Sequence, residues 1–142
     1  MADKQKIMIV DDDENIAELI SLYLIKECYE TLIVTDGEAA LKAFSEFSPN
    51  LILLDLIMPD MDGIETFKRL KREKAGQVPP VIILTAVNKP EAESQCLRMG
   101  AVDFIQKPFS PEILVLRVMH VLELARLQKN LTEALAHKAP EE

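Results

Sequence analysis

The fold is decided by the stretch Leu51-Ile52-Leu53-Leu54-Asp55-Leu56-Ile57-Met58-Pro59-Asp60-Met61-Asp62-Gly63. Four apolar residues lead directly to the carboxylate of Asp55, and turn-forming residues follow it. A short, unbroken apolar run before a turn is typical of a strand that is buried on both faces. Asp55 is therefore predicted to lie at the carboxyl end of a buried strand. Because a buried charge without a partner is costly, we expect neighbouring groups to compensate it.

The composition is that of a single globular domain. The chain has 142 residues, of which 49% are hydrophobic and 28% charged, and its formal net charge is -8. This length is enough for one domain with a hydrophobic core. An acidic surface argues against direct binding to nucleic acid and against docking on anionic lipid. The simpler explanation, that the surface acids only keep the protein in solution, accounts for most of them.

The cysteines and the N-terminus point to a reducing compartment. Cys28 and Cys96 lie far apart, and neither has a Cys or His neighbour at metal-ligand spacing. We therefore expect two reduced, buried thiols, with no disulfide and no zinc site. Residues 1–6 contain no apolar segment for a signal peptide, and no apolar run approaches the roughly 20 residues that span a membrane. A cytoplasmic protein without a membrane partner is predicted.

Strand and helix patterns alternate five times along the chain. The first helix carries apolar residues at helical spacing, and the last helix is predicted to run from Pro111 into the 130s. Short connections, and patterns that predict most strands to be buried on both faces, indicate a parallel α/β sheet that is covered by helices on both sides. The strands are predicted at residues 7–10, 31–35, 51–54, 81–84 and 102–105, and the buried face of the first helix at Ile16, Leu19, Ile20, Tyr23 and Leu24.

Polar residues follow four of these strands, at the edge where parallel sheets bind ligands. They are Asp11 and Asp12 after the first strand, Asp55 after the third, Thr85 at the fourth and Lys107 after the fifth. Converging carboxylates repel one another unless a cation binds, and hard oxygen ligands suit Mg2+. With an ammonium and a hydroxyl added, the set is suited to phosphoryl transfer to a carboxylate. Taken singly, each residue has a simpler explanation as a helix cap or a solvated loop residue, but four such coincidences would then fall at one edge.

Several short motifs occur in a fixed order. They are Val10-Asp11-Asp12, Asp55 with Met58-Pro59 and Asp62-Gly63, Thr85-Ala86, Gly100-Ala101-Val102-Asp103-Phe104 and Lys107-Pro108-Phe109. Over about residues 5 to 125 the sequence resembles the CheY-like receiver domain of two-component response regulators. The resemblance implies a flavodoxin-like, doubly wound (βα)5 fold with strand order 2-1-3-4-5 and five flanking helices.

The resemblance also implies roles for individual residues. Asp55 accepts a phosphoryl group from the phosphohistidine of a sensor histidine kinase or a phosphotransfer protein. Asp12, Asp55 and the backbone carbonyl of Ile57 bind Mg2+, and Asp11 acts mainly through a metal-bound water. Thr85 and Lys107 contact the phosphoryl oxygens, and a cis bond before Pro108 places Lys107. At the position of Phe104 the family has an aromatic switch residue that fills the space left when Thr85 moves; the alternative is that Phe104 is a plain core residue.

Three further expectations concern side chains around the site. The acid Asp13 is expected to be exposed and not a metal ligand. The side chains of Ile57 and Val87 are expected to flank the phosphoryl group and to restrict the water that hydrolyses it. Asp55 itself is expected to be an ionised, exposed nucleophile.

The C-terminal part exceeds what a receiver requires. Residues 1–125 are predicted to form the receiver, and residues 126–142 a helix extension with a polar tail. Val121, Leu124, Gln128, Leu131 and Leu135 follow 3-4 spacing, which is weak evidence for a dimerising helix. A homodimer through the fourth and fifth helices and this extension is one interpretation, and a frayed amphipathic end is the other.

Two other functions remain as alternatives. A phosphatase with an aspartyl-phosphate intermediate would need a second acid two residues after the nucleophile, where this chain has Ile57. A degenerate receiver that binds proteins without phosphorylation would not need the complete set of site residues. The leading prediction is a signalling domain, not a true enzyme, which accepts a phosphoryl group, hydrolyses it slowly and signals to an output domain or partner.

Overall fold

The computed structural model describes residues 4–137, which form five strands and five helices. Each predicted strand is present, and its two ends lie within one residue of the predicted ends. The strands are β1 (Lys6–Val10), β2 (Glu30–Val34), β3 (Leu51–Leu54), β4 (Val81–Thr85) and β5 (Asp103–Gln106). The helices are α1 (Glu14–Lys26), α2 (Gly37–Phe47), α3 (Gly63–Glu73), α4 (Pro90–Arg98) and α5 (Pro111–His137).

The five strands form one parallel sheet in the order β2-β1-β3-β4-β5. This confirms the predicted doubly wound order. Val10, the last residue of β1, pairs with Val34 of β2 and with Leu54 of β3. The three strands therefore end at the same level, and the residues that follow them emerge side by side.

Helices cover both faces of the sheet, as predicted. Alternate residues of the central strands point to opposite faces, so that β1 contributes Met8 and Val10 to one core and Ile7 and Ile9 to the other. Burying both faces is the main stabilising contribution in a fold of this kind. The first core adds residues of α2, α3 and α4, namely Ala40, Leu41, Phe44, Phe67, Leu70 and Cys96. The second adds residues of α1 and α5, namely Ala17, Ile20, Leu24, Leu114, Val115, Val118 and Leu122.

The burial of the strands agrees with the prediction, whereas that of α1 agrees only in part. The strands β1, β3 and β4 are almost completely buried. The strands β2 and β5 are only partly buried, because each lies at an edge of the sheet. On α1, the structure buries Ala17, Ile20, Ser21 and Leu24, whereas Leu19 and Tyr23 are exposed. The prediction for α1 was thus correct for Ile20 and Leu24 and wrong for Leu19 and Tyr23. The buried face includes Ala17 and Ser21, whose small side chains let the helix approach the sheet closely.

The prediction that both thiols are buried was wrong for one of them. Cys96 is fully buried on α4, and burial raises the pKa of its thiol. Cys28 is exposed, because α1 ends at Lys26 and Cys28 lies in the turn before β2 with a positive φ of 69°. Both thiols are free, as predicted.

Helix α5 continues far beyond the sheet. Its last buried residue is Leu122, and no residue from 123 to 137 is buried. The helix is continuous through residue 125, the predicted end of the receiver, and that boundary stays a prediction. The predicted polar tail, residues 138–142, lies outside the described residues. None of the helices between residues 4 and 137 combines the length and the apolar character that crossing a bilayer requires.

Candidate functional site

The predicted site residues meet at the carboxyl-terminal edge of the sheet. Asp11 follows β1 and Asp55 follows β3, and these strands are neighbours. The backbone N–H of Asp55 donates to the carbonyl of Val10 (2.9 Å), and that of Asp11 donates to Val34 (3.1 Å). The hydrogen bonds between neighbouring strands thus continue for one residue beyond the ends of β1 and β3. These bonds fix the backbone of Asp11 and of Asp55 relative to each other.

Three carboxylates form a compact acidic cluster. One oxygen each from Asp11, Asp12 and Asp55 lies within 4.8 Å of the others. Asp11 and Asp55 are buried, with 2% and 6% of their surface exposed, and Asp12 is exposed at the mouth of the site. Hard oxygen donors that are few in number and open to water on one side fit Mg2+, which retains several waters. The donor set therefore fits the predicted metal.

Lys107 compensates the two buried carboxylates. Its Nζ donates to Oδ2 of Asp11 (2.7 Å) and to Oδ2 of Asp55 (3.1 Å), and its side chain is only 12% exposed. Its backbone N–H donates to the carbonyl of Thr85 (2.8 Å), and the following bond to Pro108 is cis, as predicted.

Burial and charge act in opposite directions on the groups of this site. Burial raises the pKa of Asp11, and the hydrogen bonds from Lys107 and from the backbone of Asp13 only partly oppose it. Burial alone would lower the pKa of Lys107. The hydrogen bonds to Asp11 and Asp55, and the charges of both, outweigh that effect, so the pKa of Lys107 lies above its usual value. Lys107 is therefore a firmly protonated cation beside Asp55.

Helix capping distinguishes aspartates with a structural role from the aspartates of the candidate site. Asp13 caps α1, where its side chain accepts from the N–H groups of Asn15 and Ile16. Asp36 and Asp62 cap α2 and α3 in the same way. Asp11, Asp12 and Asp55 cap none of the described helices. The simpler explanation as caps thus fails for these three, and Asp13 is exposed and outside the cluster as predicted.

Thr85 and Phe104 lie on the same face of the sheet. Thr85 is fully buried, and its Oγ1 accepts from the N–H of Val87 (3.3 Å). Within residues 4–137 its hydroxyl makes no hydrogen bond to Asp55. Phe104 pairs with Ile83, two residues before Thr85, and is a partly buried member of the core under α2, α3 and α4. The structure brings the two predicted switch residues close in register.

The immediate surroundings of Asp55 differ from one expectation. Asp55 was expected to be exposed, but it is buried, because Lys107 and Asp11 cover its carboxylate. The side chain of Ile57 is 57% exposed beside it, and its N–H donates to Oδ1 of Asp55 (3.1 Å). Val87 is half-buried. That the side chains of Ile57 and Val87 flank a phosphoryl group on Asp55 stays a prediction.

Gly63, which the sequence predicts only as part of a turn, packs against the end of β3 at the site. A Cβ on Gly63 would lie 2.1 Å from the carbonyl oxygen of Asp55 and 2.7 Å from Cα of Leu56. Its N–H donates to the carbonyl of Leu56 (2.9 Å). Only glycine lets the start of α3 fold back against the strand end, and the Asp62-Gly63 pair was the available signal.

Comparison with known proteins identifies the family. The model of the response regulator receiver domain matches residues 7–119. The chain belongs to the response regulator receiver domain family. As a receiver, it is a domain of two-component signalling proteins. Its relatives support this function and give no support to the degenerate alternative. Receiver domains of this family are generally not classical enzymes.

Individual relatives agree with this assignment. The DNA-binding response regulator MtrA of Mycolicibacterium paratuberculosis is 39% identical over 127 residues, which cover 89% of this receiver and 53% of MtrA. The chain thus spans about half the length of the curated relatives it matches. A CheY-like receiver domain protein of Methanospirillum hungatei has a TM-score of 0.82 at 28% identity, covering 89% of this chain and 99% of that one. NtrX of Brucella abortus has a TM-score of 0.85 at 27% identity, covering 98% of this chain and 31% of that one.

Proposed function

We propose that Asp55 accepts a phosphoryl group from the phosphohistidine of a sensor histidine kinase or a phosphotransfer protein, and that Mg2+ is required. One observation carries this proposal. The Asp55 carboxylate lies between the ammonium of Lys107, 3.1 Å from its Oδ2, and the acidic cluster with Asp11 and Asp12. A carboxylate oxygen that lies beside a fixed cation and a metal-binding cluster is placed to attack phosphorus.

Each residue of the site has a separate role in the proposed phosphoryl transfer. An oxygen of Asp55 forms a bond to phosphorus while the bond from phosphorus to the donor's histidine nitrogen breaks, and the departing imidazole takes a proton from water. Lys107 stabilises negative charge on the phosphoryl oxygens, because its ammonium is fixed and largely desolvated before the donor arrives. Asp12, Asp55 and the backbone carbonyl of Ile57 would hold Mg2+, and Asp11 would act mainly through a metal-bound water. Mg2+, when bound, neutralises charge on the phosphoryl oxygens.

The chain's own catalysis is limited to these steps. Hydrolysis requires a water molecule to attack the phosphorus of the phosphorylated form opposite the Asp55 oxygen. The exposed side chain of Ile57 and the half-buried Val87 flank that approach, which favours slow hydrolysis. No second carboxylate stands two residues after Asp55, as a phosphatase of this type would need.

The signal leaves the site through Thr85 and Phe104. A phosphoryl group adds charge and acceptor oxygens, to which the Thr85 hydroxyl donates after leaving the N–H of Val87. Phe104 then moves into the space that Thr85 has left. Because Phe104 has no hydroxyl, packing alone stabilises its inward position. The surface changed by this movement is read by an output domain or a partner protein.

Intact-mass measurement after incubation with acetyl phosphate and Mg2+ tests the proposal. We expect one phosphoryl adduct in the parent, none in Asp55→Asn and none when EDTA removes the metal. Asp60→Asn, in the same loop but outside the cluster, is the matched control and should keep the adduct. An adduct on Asp55→Asn would contradict the assignment, and rapid turnover of phosphate esters would indicate a phosphatase.

Partners and location follow from the family and the charge. A histidine kinase or phosphotransfer protein is the expected donor, and the name of MtrA as a DNA-binding regulator describes that longer protein. Absence of direct nucleic-acid binding by this acidic chain and its place in the cytoplasm remain predictions.

A further inference from the structure

The first turn of α3 lies between two glycines. On one side Gly63 packs against the end of β3, where a Cβ would overlap the carbonyl oxygen of Asp55. On the other side lies Gly37, the first residue of α2, and a Cβ on Gly37 would overlap Oγ1 of Thr66. Thr66 is fully buried in the first turn of α3. The end of β3 and the starts of α2 and α3 therefore meet at distances that only glycine permits.

Gly37 also borders the β3–α3 loop, residues 56–62, which follows Asp55. A Cβ on Gly37 would lie 2.9 Å from Sδ of Met61 and 3.4 Å from Cβ of Met61. The Sδ atom belongs to a flexible side chain, whereas Cβ is fixed to the backbone of the loop. Met61 is partly buried against the core that α2 and α3 share. The first turn of α2 thus supports the tip of the β3–α3 loop.

The tip of this loop has a strained backbone. The N–H of Met61 donates to the carbonyl of Pro59 (2.7 Å), and Asp60 between them has a positive φ of 68°. A three-residue turn with positive φ at a non-glycine residue is rare, and it persists only where the surrounding structure holds it. The two ends of the loop are joined by the N–H of Gly63, which donates to the carbonyl of Leu56 (2.9 Å). The contact with α2 is therefore one of the constraints that maintain the strained tip.

Helix α2 is fixed against α3 along most of its length. Arg69 of α3 pairs with Glu38 of α2 (Nη1 to Oε1, 2.7 Å), and Nζ of Lys74 donates to Oγ of Ser45 (3.1 Å). Between the two helices the shared core contains the buried residues Ala40, Leu41, Phe44, Phe67 and Leu70. Because a packed core resists displacement, the overlap created by a methyl group at position 37 would be relieved at the end of the helix pair. That end consists of the first turn of α3 and the β3–α3 loop.

We propose that Gly37 is a positioning residue of the metal site. The inference rests on the proposed function, in which the backbone carbonyl of Ile57 and the carboxylate of Asp55 would both bind Mg2+. Ile57 belongs to the β3–α3 loop, and its N–H donates to Oδ1 of Asp55 (3.1 Å). Gly37 leaves room for Met61 and Thr66, and in this way it holds the loop in the conformation that keeps the two ligands in a fixed relative position. It acts through these two neighbours and is not itself a ligand.

A Mg2+ titration of the whole chain, followed by two-dimensional NMR without a phosphodonor, tests this role. The backbone amide signals of Asp12, Asp55 and Ile57 give the dissociation constant of Mg2+. Groups that orient metal ligands contribute about 10- to 100-fold to metal affinity, so Gly37→Ala should raise this constant by about tenfold. Met61→Ala removes the loop side of the contact without adding an atom and should raise the constant as well. It tests the role even where Gly37→Ala does not fold.

Two further variants separate positioning from a general loss of stability. Gly37→Ala combined with Thr66→Ala lacks the overlapping Oγ1 and should recover most of the Mg2+ affinity. Gly76→Ala is the matched control, because Gly76 has a positive φ of 79° at the opposite end of α3, where alanine is strained. Apart from its chain neighbours, no residue between 4 and 137 has an atom within 4 Å of a Cβ at position 76. This control should lower the urea midpoint and leave the dissociation constant of Mg2+ unchanged.

Three outcomes would overturn the role of Gly37. They are dissociation constants of folded Gly37→Ala or Met61→Ala that equal that of the parent, a Gly76→Ala variant that loses Mg2+ affinity equally, and a double variant that recovers none of it. A parent whose signals do not respond to Mg2+ would overturn the metal site of the proposed function, and this role with it. The two failures are therefore distinguishable.

Discussion

Nζ of Lys107 lies 2.7 Å from Oδ2 of Asp11, although 96 residues separate the two in sequence. The contact joins the ends of the edge strand β5 and the central strand β1 across β3 and β4, and it covers the Asp55 carboxylate between them. The ammonium partly compensates two buried acids at once. The negative charge that remains with Asp12 nearby favours a cation at this edge of the sheet.

Asp11→Asn should stabilise the metal-free protein at neutral pH. Burial raises the pKa of Asp11 above its ordinary value of 3.8, so the fold favours the neutral carboxyl. This contribution to stability is therefore complete below that value and is lost as the pH rises through the folded pKa. Asparagine stays neutral and still accepts from Lys107. Urea unfolding in EDTA should give a gain of about 1–2 kcal/mol at pH 7, typical of single buried substitutions, and less at pH 4. A variant that is less stable than the parent at pH 7 would contradict this.

Mg2+ should stabilise the parent but not Asp12→Asn. Binding to the folded state alone raises the melting temperature as the ion concentration passes the dissociation constant. Asp12 belongs to the acidic cluster, whereas its neighbour Asp13 caps α1. Asp13→Asn is the matched control, because asparagine caps a helix about as well as aspartate and should keep the full Mg2+ response. Equal Mg2+ shifts in both variants would remove Asp12 from the metal site.

Ile57→Asn should change the lifetime of the phosphorylated form. The Ile57 side chain is exposed. In the proposed site it flanks the phosphoryl group, and an amide there orients water where an aliphatic group excludes it. We expect faster hydrolysis, by about 3- to 30-fold, which corresponds to one well-placed hydrogen bond. The decay of the phosphoryl adduct, measured after removal of acetyl phosphate, gives the rate. Identical rates for variant and parent would show that the side chain at position 57 does not control water access.

Phe104 should change its environment when the site is loaded. Beryllofluoride with Mg2+ mimics the aspartyl phosphate, and we expect shifted ring signals of Phe104 in NMR spectra. Phe47, which lies at the end of α2 against Lys6, is the internal reference and should not shift. Unchanged Phe104 signals would identify it as a plain core residue.

Much of this arrangement was predictable from residue order. Unbroken apolar runs predict buried strands, and parallel strands end at one edge, so the meeting of Asp11, Asp55 and Lys107 followed from sequence. Burial of Asp55 did not follow, because it depends on how closely Lys107 packs over it in three dimensions. Exposure of Cys28 depended likewise on where α1 ends.

Helix faces were predictable only in part. The apolar residues of α5 lie on more than one face of the helix, so their spacing alone does not reveal which face is buried or that the buried residues end at Leu122. That distinction depends on where the sheet ends beneath the helix. Gly63 likewise looks like any turn glycine until its distance to the Asp55 carbonyl is known.

Chemical mapping of the phosphoryl group tests the central claim most directly. Borohydride reduces an aspartyl phosphate to homoserine, and peptide mass spectrometry then locates the modified position. After incubation with acetyl phosphate and Mg2+, we predict homoserine at position 55 and unmodified aspartate at positions 11, 12 and 13. Homoserine at any of those three positions, or a phosphoryl group that resists borohydride on a serine or threonine, would contradict the account.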